Sequence, residues 1–199
     1  MSSVVQYITV VDEDDNHYHI VKIGEQIWMA ENLKTSKYND GTEIPLVTGE
    51  IEWANLTTPG YCLYDNSDDS YGALYNWYTV NTDKLCPAGW HVPSDGEWTE
   101  LITFVGGESI AGSKLKDLGT NDWIVTTVGV TNEYYFTALP GGDRSKDGAF
   151  VFIGTYGFWW SSNGQVTDAP MRSMKANENS VGRSFWDMNY GHSVRCVQD

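Results

Sequence analysis

Residues 86–107 read Cys-Pro-Ala-Gly-Trp-His-Val-Pro-Ser-Asp-Gly-Glu-Trp-Thr-Glu-Leu-Ile-Thr-Phe-Val-Gly-Gly. Their order spells a short strand, a cap, a helix and a stop. Gly89 to Val92 suits a strand. Ser94 and Glu97 stand at the spacing of a capping box, in which each side chain satisfies the other's free backbone N–H. Trp98, Leu101, Ile102 and Val105 then fall at i, i+3, i+4 and i+7, one face of a helix. Gly106-Gly107 supplies the left-handed stop. A second short helix is expected over Ser109 to Leu118, closed by Gly119.

Upstream, residues 4–23 read as a hairpin. Val4, Val5, Ile8, Val10 and Val11 precede a polar turn, Asp12 to Asn16, and Tyr18, Ile20, Val21 and Ile23 follow it. The acidic turn starts like a calcium loop. However, His17 stands where that loop needs Gly, and Ile23 stands where it needs Glu, so the turn reads as solvated. Ile23, Ile27, Trp28 and Met29 form a short buried strand, and residues 42–60 an ordered loop with one short strand or turn. In residues 61–80, Asp65, Ser67 and Asp69 alternate. Such spacing either points oxygens at one cation or bonds the loop's own backbone; on the first reading Asp65 and Asp69 are the metal ligands. Downstream, the segments 136–142, 149–163 and 184–199 are glycine-rich, aromatic and strand-like.

The whole chain has 199 residues, enough for one core that hides roughly 70% of the unfolded surface. Lys plus Arg is 12 against 27 Asp plus Glu, a net charge of −15, which argues against nucleic acid and against an anionic membrane surface. Nine tryptophans argue against disorder. No stretch is long and apolar enough to span a membrane, and Met1 to Val10 have no leader-peptide pattern. Cys62, Cys86 and Cys196 allow one internal disulfide, with three pairings open.

No catalytic constellation stands out. Metalloprotease, nucleophile-elbow and phosphate-loop motifs are absent. His17 and His19 lack a third ligand. His192 lies four strand residues from Cys196, about 13 Å, too far to activate it. The chain is therefore expected to be no enzyme and to need no cofactor, apart from a structural cation at residues 65–69. A cation-dependent enzyme built on that loop is the alternative. Trp28, Trp77, Trp90, Trp98 and Trp159 are expected in the core. Trp186, in a polar stretch, is the candidate for exposure.

Seven segments in order resemble the Fibrobacter succinogenes major paralogous domain family of Bacteroidetes-type surface proteins. They begin at Val21 (VKIGEQIWMAENLKTSKYNDGT), Trp53 (WANLTTPGYCLYDN), Tyr71 (YGALYNWYTV), Leu85 (LCPAGWHVPSDGEWTEL), Phe136 (FTALPGGDR), Gly154 (GTYGFWWSS) and Gly191 (GHSVRCVQD). The resemblance spans about residues 10–199. It implies an α+β, C-type-lectin-like fold, with small antiparallel sheets, two helices and long irregular loops. Residues 1–199 then form one such domain, with a β-hairpin extension at about 1–25. The last strand would lie near the Gly89–Val92 strand, which makes Cys86–Cys196 the implied disulfide. The triplets of calcium-dependent sugar-binding lectins are missing.

Residues 161–190 are polar without sustained period, and in the resembled family this is the variable part. The expected function is non-catalytic binding or adhesion to an unknown protein or glycan through residues 163–192. Asn163, Arg172, Arg183, Phe185, Trp186, Asp187, Asn189, Tyr190 and His192 are the expected contacts. The expected place is extracellular, at a cell surface or on a phage particle. The alternative is a receptor-binding protein diversified by a retroelement.

Overall fold

The capped helix forms as its residues dictate. In the computed structural model, which describes residues 8–118, 122–125 and 129–199, the first elements are β1 (Thr9–Val11), β2 (His17–Ile23), β3 (Gln26–Met29), α1 (Glu50–Ala54), β4 (Tyr61–Cys62), β5 (Leu74–Tyr75), α2 (Trp77–Val80) and β6 (Trp90–His91). They are followed by α3 (Asp95–Phe104), α4 (Glu108–Leu115), β7 (Gly141–Arg144), β8 (Phe150–Ile153), β9 (Tyr156–Trp160), β10 (Asp168–Lys175), β11 (Val181–Asp187) and β12 (Val197–Gln198). At the head of α3 the Glu97 N–H donates to Ser94 Oγ at 3.2 Å, and the Ser94 N–H donates to Glu97 Oε2 at 2.7 Å. Trp98, Leu101, Ile102 and Val105 are all buried. Gly106 and Gly107 take φ of 116° and 95°, a region that strains any residue with a Cβ.

The architecture is mixed, with four helices and three sheets among the described residues. One sheet has the order β1-β2-β3-β12-β6, so it joins the two ends of the chain. The second has the order β11-β10-β9-β7-β8, and β4 pairs with β5 alone. The indole of Trp98 sits between the two large sheets, 4.9 Å from the Trp28 ring on β3 and 6.4 Å from Trp159 on β9. Burying each such side chain contributes about 1.5–3 kcal/mol, so α3 acts as the wedge that holds the sheets together.

The sequence misjudged several boundaries. Two more short helices, α1 and α2, arise where only loop and aromatic runs were expected. Asn76 caps α2 through its side chain, which accepts from the Thr79 N–H. The second expected helix runs Glu108–Leu115, and Gly119 lies outside the described residues. The N-terminal hairpin pairs Val10 with Tyr18, while Val4 and Val5 also lie outside. Asp12 turns its carboxylate inward and accepts from the Asp14 and Asn16 N–H groups and from the Tyr18 hydroxyl. A disulfide joins Cys86 to Cys196, and Cys62 is a buried thiol that burial pushes up to about 12. Trp90 is half-buried and does not belong to the core.

Candidate functional site

The segment 161–190 is not an irregular loop. It is a β-hairpin, paired in unbroken register from Asp168↔Asp187 to Met174↔Val181. β10 lies between β9 and β11 and is covered on both faces, so its pattern shows no simple alternation of apolar and polar residues. Strand alternation divides the expected contact residues between the two faces of this sheet.

On the face toward α3, three of them gather around Asp95 and a fourth flanks Arg183. Arg172 is buried and donates from Nη2 to Asp95 Oδ1 at 2.8 Å and to Thr99 Oγ1 at 2.7 Å. Arg183 donates from Nε and Nη2 to the same carboxylate, both at 2.9 Å. Burial works against the Asp95 charge, yet the two guanidinium groups outweigh it and hold the carboxyl below its usual range. Asn163 Oδ1 accepts from the Asp95 N–H at 2.7 Å, and the Arg183 guanidinium lies 4.9 Å from the Phe185 ring. This group locks the hairpin onto the start of α3. Arg172 has no surface to offer a ligand, which corrects its expected role.

The opposite face is aromatic. The Trp186 ring packs 4.6 Å from Tyr190 and 5.5 Å from Phe158. Tyr156 and Phe158 stack at 5.2 Å, and Phe152 meets Tyr156 edge-on at 5.4 Å. Phe152 is 48% exposed and sits at φ 67°, a left-handed conformation that is costly for a bulky residue. A cleft of about 260 Å³ opens among Phe152, Tyr156, Phe158, Met171, Ser173, Ser184 and Trp186. Beneath it His192 is fully buried, 4.2 Å from the Trp160 ring, with no well-formed hydrogen bond to either ring nitrogen. Burial pushes its pKa down to about 3, so the ring is neutral and supports the cluster from below without touching a ligand. That corrects the second expected contact.

Asp187 and Asn189 belong to a third place. They line a polar cleft of about 400 Å³ together with Asn55, Thr57, Tyr78 and Thr167. Asp187 Oδ2 pairs with Lys146 Nζ at 2.7 Å, and Trp53 Nε1 donates to the Asn189 carbonyl at 2.8 Å. The sequence reading missed Phe152, Tyr156, Ser173 and Ser184. The alternation Tyr156, Phe158, Trp160 was the signal that could have placed Tyr156 on this face.

Asp65 takes φ 48° in a turn, and Asp69 pairs with Lys34 at 3.3 Å. Among the described residues no three His, Cys, Asp or Glu side chains gather as a metal site.

Fold and surface together define a mixed α and β chain with half-buried aromatic rings and two serine hydroxyls around a cleft on one face of its second sheet. The chain belongs to the Fibrobacter succinogenes major domain family, whose model matches residues 21–198. No curated protein and no solved structure was found to match it. Among the described residues no helix is long and apolar enough to cross a membrane.

Proposed function

We propose that the chain is a non-catalytic binding domain of C-type-lectin-like fold that takes a glycan, displayed at or outside a cell surface, on the aromatic face of its second sheet. The observation that carries this reading is the half-buried cluster of Trp186, Tyr156 and Tyr190, where Trp186 and Tyr156 line a cleft with two serine hydroxyls. Ring faces meet the C–H faces of a sugar. The Ser173 and Ser184 hydroxyls in the same cleft offer hydrogen bonds to its hydroxyls. Aromatic residues of this kind lose little side-chain entropy on binding.

The test is a screen of glycans and surface proteins with the intact chain, followed by affinity measurements on Trp186→Ala with Tyr156→Ala. Loss of two ring contacts is expected to weaken binding at least about 30-fold, while Arg183→Ala, on the other face, leaves it within about twofold. Unchanged affinity in the double variant overturns the reading. Binding to proteins alone overturns its glycan part.

A further inference from the structure

β11 is an edge. It closes the order β11-β10-β9-β7-β8, and among the described residues no strand or isolated bridge lies on its outer side. Gly182, Arg183, Ser184 and Phe185 are exposed in succession. Edge strands leave a row of unpaired N–H and C=O groups, and proteins usually blunt them with proline, lysine, a bulge or short length. β11 has none of these: it runs seven residues, Val-Gly-Arg-Ser-Phe-Trp-Asp, in unbroken register with β10. The other edge of the same sheet is blunted, since β8 is four residues long and holds Phe152 at φ 67°.

We propose that β11 pairs antiparallel with β11 of a second copy of this chain, about a two-fold axis at Phe185. The charge pattern of the strand selects this occupant and this register. Arg183 and Asp187 stand two residues either side of Phe185. Under the two-fold operation Arg183 therefore falls opposite the second copy's Asp187, and Asp187 opposite its Arg183. The two Phe185 rings meet in the middle, and Ser184 lies opposite Trp186. Arg183, Phe185 and Asp187 share one side of the strand by alternation, so the patch is complementary to itself, as a two-fold interface requires.

Opposite charges directly across an antiparallel pair stabilise it, as do aromatic pairs, and like charges oppose it. The ties that these two residues make within one copy do not prevent the exchange. Arg183 is 41% exposed in its pair with Asp95, and Asp187 is 44% exposed in its pair with Lys146. The Lys146–Asp187 pair is exposed and contributes little, while the bidentate Arg183–Asp95 pair stays in place, since it uses Nε and Nη2 and leaves the Nη1 N–H groups for the second copy's Asp187. α4 packs near the Val181 end of β11, where the Ser113 N–H donates to the Asn179 carbonyl, and its first residue, Glu108, lies 3.6 Å from Arg172. A five-residue strand pair covers less surface than a permanent dimer, so the association is weak, with Kd in the micromolar range or above.

The experiment is sedimentation equilibrium of the whole chain over rising concentration at about physiological ionic strength. Variants Arg183→Glu, Asp187→Lys and the double reversal accompany it, each checked by its thermal melt. The wild type is expected to dimerise. Each single reversal sets like charges opposite one another twice and weakens self-association at least about tenfold. An equimolar mixture of the two single variants restores opposite charges in a mixed pair and associates, and so does the double reversal alone. A wild type that stays monomeric throughout, or two single variants that fail to associate with each other while both are folded, overturns the proposal.

Discussion

At the scale of single residues, two charges show what burial does to a sequence reading. Arg172 stands in a polar run, and nothing in that run announces that it is sealed against α3 with Asp95 as its hydrogen-bonded counter-charge. Its partner lies 77 positions away, so no local pattern could disclose the pair. Removing one member of a buried pair strands the other. Asp95→Ala is therefore expected to lower the unfolding free energy by about 3–5 kcal/mol in urea melts. Glu178→Ala, which breaks the exposed Lys175–Glu178 pair, should cost less than about 1 kcal/mol. His91 is the second case. Its Nδ1 lies 2.7 Å from Asp199 Oδ1 and its Nε2 2.8 Å from Glu97 Oε1. Burial disfavours the cation, but the two carboxylates outweigh it and raise the pKa above the usual 6.5. The folded chain thus holds a proton that the unfolded chain has begun to lose. The contribution is complete below about pH 6.5 and disappears as pH rises through the raised value. An NMR titration of His91 should give a midpoint above 6.5, and His91→Gln should destabilise the fold on the acid side of that midpoint more than on the alkaline side.

At the scale of elements, α3 was legible and the β10–β11 hairpin was not, for one physical reason. A capping box and an i, i+3, i+4, i+7 stripe are complete within a dozen residues, and a Gly-Gly stop ends them. A central strand such as β10 is covered on both faces by distant elements, so its own residues carry no contrast between in and out. The strand also brings glycines whose role is closeness. Gly112, inside α4, would place an added Cβ 2.6 Å from the Ser180 carbonyl oxygen and 2.8 Å from that of Asn179. Helix propensity alone favours Gly112→Ala by about 1 kcal/mol. Backbone atoms at that distance cannot yield as a flexible side chain can, so the clash wins, and the variant should melt at lower temperature than the wild type. A higher melting temperature would show that α4 and the hairpin turn do not pack this closely. The disulfide acts between elements as well, since Cys196 precedes β12 and Cys86 precedes β6 across 110 positions. Cys86→Ser with Cys196→Ser is expected to cost about 2–5 kcal/mol, read as a lower urea midpoint with a steeper slope, because the unfolded chain expands once the cross-link is gone.

At the scale of the whole molecule, seven segments in order sufficed to place the chain in its family, because motif order survives where single motifs do not discriminate. The pairing of β12 with β6 was implied by that resemblance and not by any periodicity, and the pairing of β12 with β3 was not foreseen. No pattern could show which ionisable groups the packed sheets enclose. Two of these, Asp143 and His192, act on stability in opposite directions. Asp143 on β7 has neither carboxylate oxygen satisfied, and burial raises its pKa from 3.8 to about 7. Between these values the folded chain binds a proton that the unfolded chain does not, so stability falls as pH rises through that window. His192 is lowered by burial from 6.5 to about 3, and between these values only the unfolded chain binds the proton, so stability rises with pH. Each slope is about 1.4 kcal/mol per pH unit. The windows overlap from 3.8 to 6.5, and there the two contributions cancel. The wild type should accordingly show little slope from these groups across that range. Removing either group uncovers the other. In His192→Leu, urea stability should climb as pH falls from about 7 toward 4. In Asp143→Leu, it should fall as pH falls from about 6.5 toward 3. Parallel pH profiles in the two variants would rule out this opposition, whatever their absolute stability.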